Sequence, residues 1–462
     1  MKKLFLGLFA LLASVPCFAA DRASPEGREA LEIYRTIIGY PTVKGRGEVP
    51  KMARFLAAKF KKAGFAARDI EIHPIGETAG LIVTYRGTGA KPPLLFLGHM
   101  DVVEAKPADW ERDPFKLHEE QGYFYGRGTS DNKAGVAQLT AAFLQLKRQG
   151  FRPARDLILA FTGDEETDML TSQALARKLA AVRPAYALNS DSGGGRLDSR
   201  GRATEFSVQV AEKTFANFEV TVRNPGGHSA RPRADNAIFE LADLLKNLRG
   251  HIFPIMASEL TRMTLNAAAQ KPNVNPELKA AMLAFAANPD EANGQAVLAK
   301  APGLALTLRT TCVPTLLVGG HADNALPQSA TATINCRIFP GVPILAVQQQ
   351  LVAAGANPAA EWKLLGSPTQ SDPSPVNAPL FAAIAEVFAD RFPSLPVIPY
   401  MTPGATDGKH FRAANIPTYG VSAGFDAPGD NSNIHGLNER HNVAKFFESL
   451  DFWPKLMKRL GS

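Results

Sequence analysis

Cysteine is scarce in this 462-residue chain: there are three, and no two of them form a Cys-x-x-Cys pair. A thiolate-built zinc site therefore has no basis. Blocks of lysine and arginine are missing too. The formal charge of +7 is spread along the chain with no aromatic interleaving, so nucleic acid is not implied as a partner. Past the first residues, no apolar run is long enough to span a bilayer. What remains is 45% apolar and 21% charged, the composition of a soluble globular protein. The length exceeds one comfortable core, so two domains are expected.

The amino terminus differs from the rest. Lys2 and Lys3 precede the apolar run Leu4 to Ala13, and Cys17-Phe18-Ala19 offers a small-x-small cleavage site. Residues 1–19 read as a secretory signal peptide, which predicts an exported protein, periplasmic or secreted, with no membrane association after cleavage. Pro16 suits a lipid-attachment role for Cys17 poorly. Without Lys2 and Lys3 the charge falls to +5. Export would permit oxidation of Cys312 and Cys336, both in strand-like segments. A disulfide and two buried thiols stay equally open, since sequence does not give their separation.

From about Arg28 to Asn189 helix and strand patterns alternate. Met52, Phe55, Leu56, Phe60 and Ala63 have helical spacing, as do Val136, Leu139, Phe143 and Leu146. Between them lie the short apolar runs Leu94 to Leu97 and Leu157 to Phe161, suited to strands buried on both faces. Around Glu212 the texture changes to β-α-β-β-α-β: a strand from Phe215 to Val222, a helix through Ile238 to Leu248, strands at 310–318 and 330–338, a helix near 343–353, and a strand from Glu361 to Leu365. An Ala-rich stretch from about 250 to 305 predicts extra helices. The α/β texture resumes after about 370, so residues 212–369 read as a domain inserted between catalytic segments 20–211 and 370–462. The expected fold class is α/β: a layered hydrolase domain with a ferredoxin-like α+β insertion.

Acids and histidines cluster where those strands end. In an open α/β sheet, ligands bind at the carboxyl ends of strands. His99 and Asp101 follow one strand and face the same side, so Asp101 can fix the tautomer of a ligating His99. Asp131 heads a helix and could simply be its N-cap. Asp191, in Asn189-Ser-Asp-Ser-Gly, could simply make a turn. The adjacent pair Glu165-Glu166 is harder to place without a compensating cation, although an exposed acidic helix start would also explain it. His435 gains weight only from its company, and His73, His118, His410 and His441 lack any. Together these residues could build a site for two zinc ions, with Asp131 as the bridge. His99 and Asp191 would complete one ion, Glu166 and His435 the other. Three carboxylates and a bridging hydroxide would balance two divalent ions, leaving Glu165 unliganded as a general base. Two other strings carry less. Gly420-x-Ser422-x-Gly424 matches a nucleophile elbow, but loop residues follow it where a helix is required. Gly404 to Lys409 is one residue short of a phosphate loop and reads as a turn.

The strings Gly98-His-Met-Asp-Val-Val103, Gly126-Arg-Gly-Thr-Ser-Asp131, Gly163-Asp-Glu-Glu166, Gly226-Gly-His-Ser-Ala-Arg231, Asn324-Ala-Leu-Pro327 and Cys336-Arg-Ile-Phe-Pro-Gly341, in this order, resemble the M20 family of metallopeptidases and amidohydrolases. Trp110 with Asp113-Pro114-Phe115 adds a likeness to the carboxypeptidase S branch. The resemblance covers essentially the whole chain after the leader. It implies two zinc ions per subunit on His99, Asp131, Glu166, Asp191 and His435, Asp101 supporting His99, and Glu165 as base. It also implies a lid domain that often dimerises, giving a possible homodimer. His228 resembles a lid histidine that reaches the partner's active site in dimeric relatives. Asn324 and Arg337 match substrate-holding positions, although Arg337 reads equally well as a strand-surface arginine. The implied reaction is hydrolysis of an amide beside a free carboxylate, first as a carboxypeptidase or dipeptidase on small peptides. The alternative is an N-acyl-amino-acid amidohydrolase, and outside enzymes an inactive exported binding protein. One departure is Asp168, where the family often has glycine.

Overall fold

The computed structural model describes residues 22–271 and 274–462. The proposed leader, residues 1–19, lies outside them. Among the described residues no helix is long and apolar enough to cross a membrane.

The continuous apolar runs form the centre of a ten-stranded sheet. Leu157–Thr162, Leu94–His99, Tyr186–Asn189 and Thr418–Gly420 lie side by side and mutually parallel. Every residue of Leu94–His99 and Leu157–Thr162 is buried, as expected for strands covered on both faces. Antiparallel strands Thr78–Tyr85 and Ile70–Ile75 extend one side, and Ala203–Glu212 with its neighbours extends the other. The register pairs His99 with Thr162 and Leu97 with Asn189. The carboxyl ends of three parallel strands are thus level, and the residues just beyond them share one edge.

Helices cover the sheet because their apolar positions recur on one face. Val49–Lys62 buries Met52, Leu56 and Phe60, while Lys133–Arg148 is buried along nearly its whole length. Helix Pro25–Ile38 begins at Ser24, whose Oγ accepts from Gly27 N at 2.9 Å, a side-chain N-cap. The carboxyl-terminal helix Val443–Gly461 inserts Phe446, Trp453 and Leu456 into the same core.

The chain changes sheet across Lys213. Strands Thr214–Arg223, Thr311–Gly319, Ser329–Ile338 and Glu361–Leu365 make a separate antiparallel sheet. Numbered in chain order its strands run 4-1-3-2, the order of a ferredoxin-like unit. Helices Ala237–Gly250 and Ile344–Gly355 supply its buried Leu241, Leu244, Val347 and Leu351. The Ala-rich stretch forms helices Glu259–Ala269, Pro276–Ala287 and Glu291–Lys300, which have their own apolar cluster. They sit against the large sheet rather than the small one. Thr264 Oγ1 donates to Pro399 O at 3.3 Å, and Lys271 pairs with Glu205 at 2.8 Å.

The cysteine alternative is resolved. Cys312 and Cys336 face each other in adjacent antiparallel strands, with Cα atoms 4.1 Å apart, and form a disulfide. Without reductant, neither residue should be alkylated in the unfolded protein, as read by peptide mass spectrometry. Replacing both by alanine should lower stability by about 2–4 kcal/mol, measured by denaturant unfolding.

Candidate metal centre

The strand ends bring the predicted ligands together. His99 closes its strand, and its Nε2 lies 2.8 Å from Asp131 Oδ1 and 3.6 Å from Asp191 Oδ1. On the other side of Asp131, His435 Nε2 lies 3.2 Å from Oδ2 and 3.0 Å from Glu166 Oε2. One oxygen of Asp131 therefore faces each imidazole, the arrangement a bridging carboxylate needs. The potential ligand atoms fall into overlapping groups: His99, Asp131 and Asp191; Asp131, Glu166 and His435; and His99, Glu165 and Glu166. Within each group they lie within 4.8 Å of one another.

The two bland readings fail on this geometry. Asn132, not Asp131, occupies the N-cap of helix Lys133–Arg148. The turn at Asp191 is made by Asn189, whose Oδ1 accepts from Asp191 N at 3.2 Å, leaving the Asp191 carboxylate to receive Asn132 Nδ2 at 3.3 Å.

Asp101 acts more broadly than predicted. Its carboxylate accepts Glu165 N and Glu166 N, both at 3.0 Å, so it anchors the backbone of the glutamate pair. Its approach to His99 Nδ1 is 3.5 Å, while its own backbone carbonyl is nearer at 3.1 Å. Both contacts favour the proton on Nδ1 and leave Nε2 free to ligate. Glu165 is buried, and its carboxylate makes no hydrogen bond to a described residue. Asp168 points away and pairs with exposed Lys44 at 2.7 Å.

Electrostatics show how strongly the pocket favours positive charge. Burial pushes Asp191 up to about 8, with neighbouring Asp131 adding to the rise. Burial likewise holds the Glu165 carboxyl well above the ordinary range. Burial alone would depress His99, yet Asp191, Asp101 and Asp131 carry its imidazole well above the usual value. Hydrogen bonds to Asp131 and Glu166 raise His435 to about 10. Asp131 goes the other way: burial opposes its ionisation, but hydrogen bonds from His435 and His99 hold its carboxyl well below the ordinary range, so it stays charged between the two imidazoles. An all-oxygen-and-imidazole donor set of this charge fits two divalent ions.

Two supporting carboxylates escaped the sequence reading. Glu439, fully buried, accepts Ser130 N at 2.7 Å and Gly128 N and Asp131 N at 3.0 Å, and pairs with Arg127 at 2.7 Å. Asp407, also fully buried, accepts from Thr162 Oγ1 at 2.7 Å and from Ser172. It lies in the string that resembles a phosphate loop. No local pattern marks either residue; only three-dimensional burial does. Ser422 stands in a loop between strands Thr418–Gly420 and Phe425–Asp426, with no helix behind it.

The lid residues are placed differently. His228 and Asn324 meet at a short ladder pairing Gly227–His228 with Ala325–Leu326, where Ser229 N donates to Asn324 O at 3.1 Å. Both are exposed, and neither contacts the ligand cluster. Arg337 packs over the Phe215 ring at 4.8 Å, with Nη1 3.5 Å from Pro403 O in the loop leading to Asp407. A cavity of about 310 Å³ opens beside Asp131 and Asp191, walled by Ser192, Tyr400 and His441.

Residues 95–459 match the model of peptidase family M20/M25/M40, and the chain belongs to that family. It is therefore a hydrolase, of a family whose peptidases depend on a dinuclear metal site. It is 25% identical over 459 residues to the N-fatty-acyl-amino acid synthase/hydrolase PM20D1.1 of Danio rerio, covering 94% of this chain and 86% of that one. Human aminoacylase-1 is 25% identical over 455 residues, covering 96% and 98%. The fold is shared with an M20 metallo-carboxypeptidase from Sulfolobus solfataricus, with a TM-score of 0.69, 20% identity, and 93% and 98% coverage.

Glu439→Ala would leave Arg127 buried and unpaired and free three backbone N–H groups. Thermal or denaturant unfolding should show a loss of about 3–5 kcal/mol, accompanied by weaker metal retention on dialysis.

Proposed function

We propose that this protein is an exported amidohydrolase holding two zinc ions and cleaving an amide beside a free carboxylate, with N-acyl amino acids as the preferred class. The observation that carries the reading is Asp131, set between two imidazoles with a further carboxylate beside each. His99, Asp131 and Asp191 would hold one ion; Asp131, Glu166 and His435 the other. When bound, such ions acidify water and polarise a carbonyl.

The chain's own groups supply the rest. Glu165 is buried beside His99 and Glu166, and its carboxylate makes no hydrogen bond to a described residue. It is suited to take the proton from the attacking water and return it to the leaving amine. Asp101 holds Glu165 in place through its backbone. Arg337 offers a planar fork for the substrate carboxylate, and Asn324 lies on the same lid. An intact Glu165 argues against an inactive binding protein, since binding needs ligands but no base.

Full-length similarity to an N-fatty-acyl-amino acid hydrolase and to aminoacylase-1 moves preference from peptides to N-acyl amino acids. The peptide reading stays as the second outcome of a substrate panel. Export is supported by the disulfide, which belongs to oxidising compartments. A homodimer through the lid is supported by its outer strand, where Leu316, Leu317 and Val318 are 66%, 67% and 70% exposed along an open edge. His228 would then act across the interface.

Metal analysis should return two ions per chain, with chelation abolishing turnover. Glu165→Gln should keep both metals while kcat falls by about 10²–10⁴-fold; substantial residual turnover would remove it as the base. His228→Ala should lose activity with metal content unchanged. Mixing it with Glu165→Gln should restore part of the activity, a result a strict monomer cannot give.

A further inference from the structure

The lid contains a second cavity that the amide chemistry does not use. Its volume is about 810 Å³, within the range that takes a ligand of ordinary small-molecule size. Leu245 and Leu248 of helix Ala237–Gly250, Phe253, Ile334 and Leu351 give it apolar walls. Its charged lining is of one sign. Lys246, Arg249 and Arg309 border it, and no acid does.

Arg309 is the informative residue. It is only 7% exposed, yet its side chain makes no ion pair or hydrogen bond to a described residue, and both Nε and Nη2 are buried without a partner among them. His251, on the same lining, also has a buried and unpartnered Nε2. The backbone carbonyl of Arg309, by contrast, is taken by Lys213 Nζ. A buried guanidinium with no acceptor is costly, and native proteins normally supply one.

We propose that this cavity binds a carboxylate carried on an apolar acyl chain. The carboxylate pairs with Arg309, whose planar fork matches it. The chain lies along Leu245, Leu248, Phe253, Ile334 and Leu351. Bare inorganic anions would leave those walls unfilled, and a neutral lipid would leave Arg309 unpaired. The inference rests on the lid alone and stands or falls separately from the proposed hydrolysis.

The test is calorimetric titration of the metal-loaded full chain with dodecanoate, with dodecanol and inorganic phosphate as separate probes. Dodecanoate should saturate one site per chain, and the other two should bind far more weakly. Arg309→Met should weaken dodecanoate binding by about tenfold or more. Leu248→Trp, which fills the cavity but keeps the guanidinium, should do the same. Both variants should retain wild-type turnover, because neither residue belongs to the metal centre, and Arg309→Met should melt no lower than wild type, because it removes a buried unpaired charge. N-dodecanoylglycine, titrated into the Glu165→Gln protein with and without Arg309→Met, separates a conjugated acyl chain from the free acid. Whichever ligand loses affinity through Arg309→Met is the occupant. Unchanged affinity for both, or dodecanol binding as tightly as dodecanoate, would overturn the proposal.

Discussion

The buried pair of Arg127 and Glu439 joins two parts of the chain that are more than three hundred residues apart in sequence. Glu439 collects the backbone N–H groups of Gly128, Ser130 and Asp131, and Arg127 donates to the carbonyls of His435 and Gly436 at 3.4 and 3.0 Å. The loop carrying Asp131 and the loop carrying His435 are therefore fastened to each other before any cation is considered. Trp110 lies against the Arg127 guanidinium at 5.1 Å and closes off one side of the pair. A buried ion pair contributes little net stability against an apolar substitute, but breaking one is expensive. Here it fixes the position of His435, a candidate ligand contributed by a late, exposed loop.

Three other candidate ligands, His99, Glu166 and Asp191, are delivered by the parallel sheet. His99 ends one strand, and Glu166 and Asp191 follow its two neighbours in level register. Asp101 then takes two N–H groups of the glutamate turn. The consequence is crowding: several carboxylates and two imidazoles in a space from which most water is excluded. That crowding raises the Asp191 carboxyl and both imidazoles together. It is tolerable to the fold only with compensating positive charge, which makes the centre costly to keep and suited to cations.

The lid is built on different terms. Its four-stranded sheet has its own small core and its own disulfide. Among its polar contacts with the catalytic part is that of Arg337 with the Pro403 carbonyl. Its outer strand and its cavity both leave groups unsatisfied, apolar in one case and cationic in the other. The proposed recognition groups thus lie in the lid, and the proposed chemistry at the sheet edge.

Much of this was legible in the residues themselves. The apolar runs at 94–97 and 157–161 suited central strands, because they are short, continuous and fit an element covered on both faces. The ferredoxin-like order followed from strand and helix patterns, and the five candidate ligands from acids and histidines placed mostly just past strand ends. Only the tertiary structure decided the rest. It paired Cys312 with Cys336 by setting their strands in register. It seated the Ala-rich helices on the large sheet, and it buried Glu439, Asp407 and Arg309. Local sequence records which groups are present and how they alternate along an element. Burial and charge pairing depend on which distant segments meet, and that is settled only when the whole chain packs.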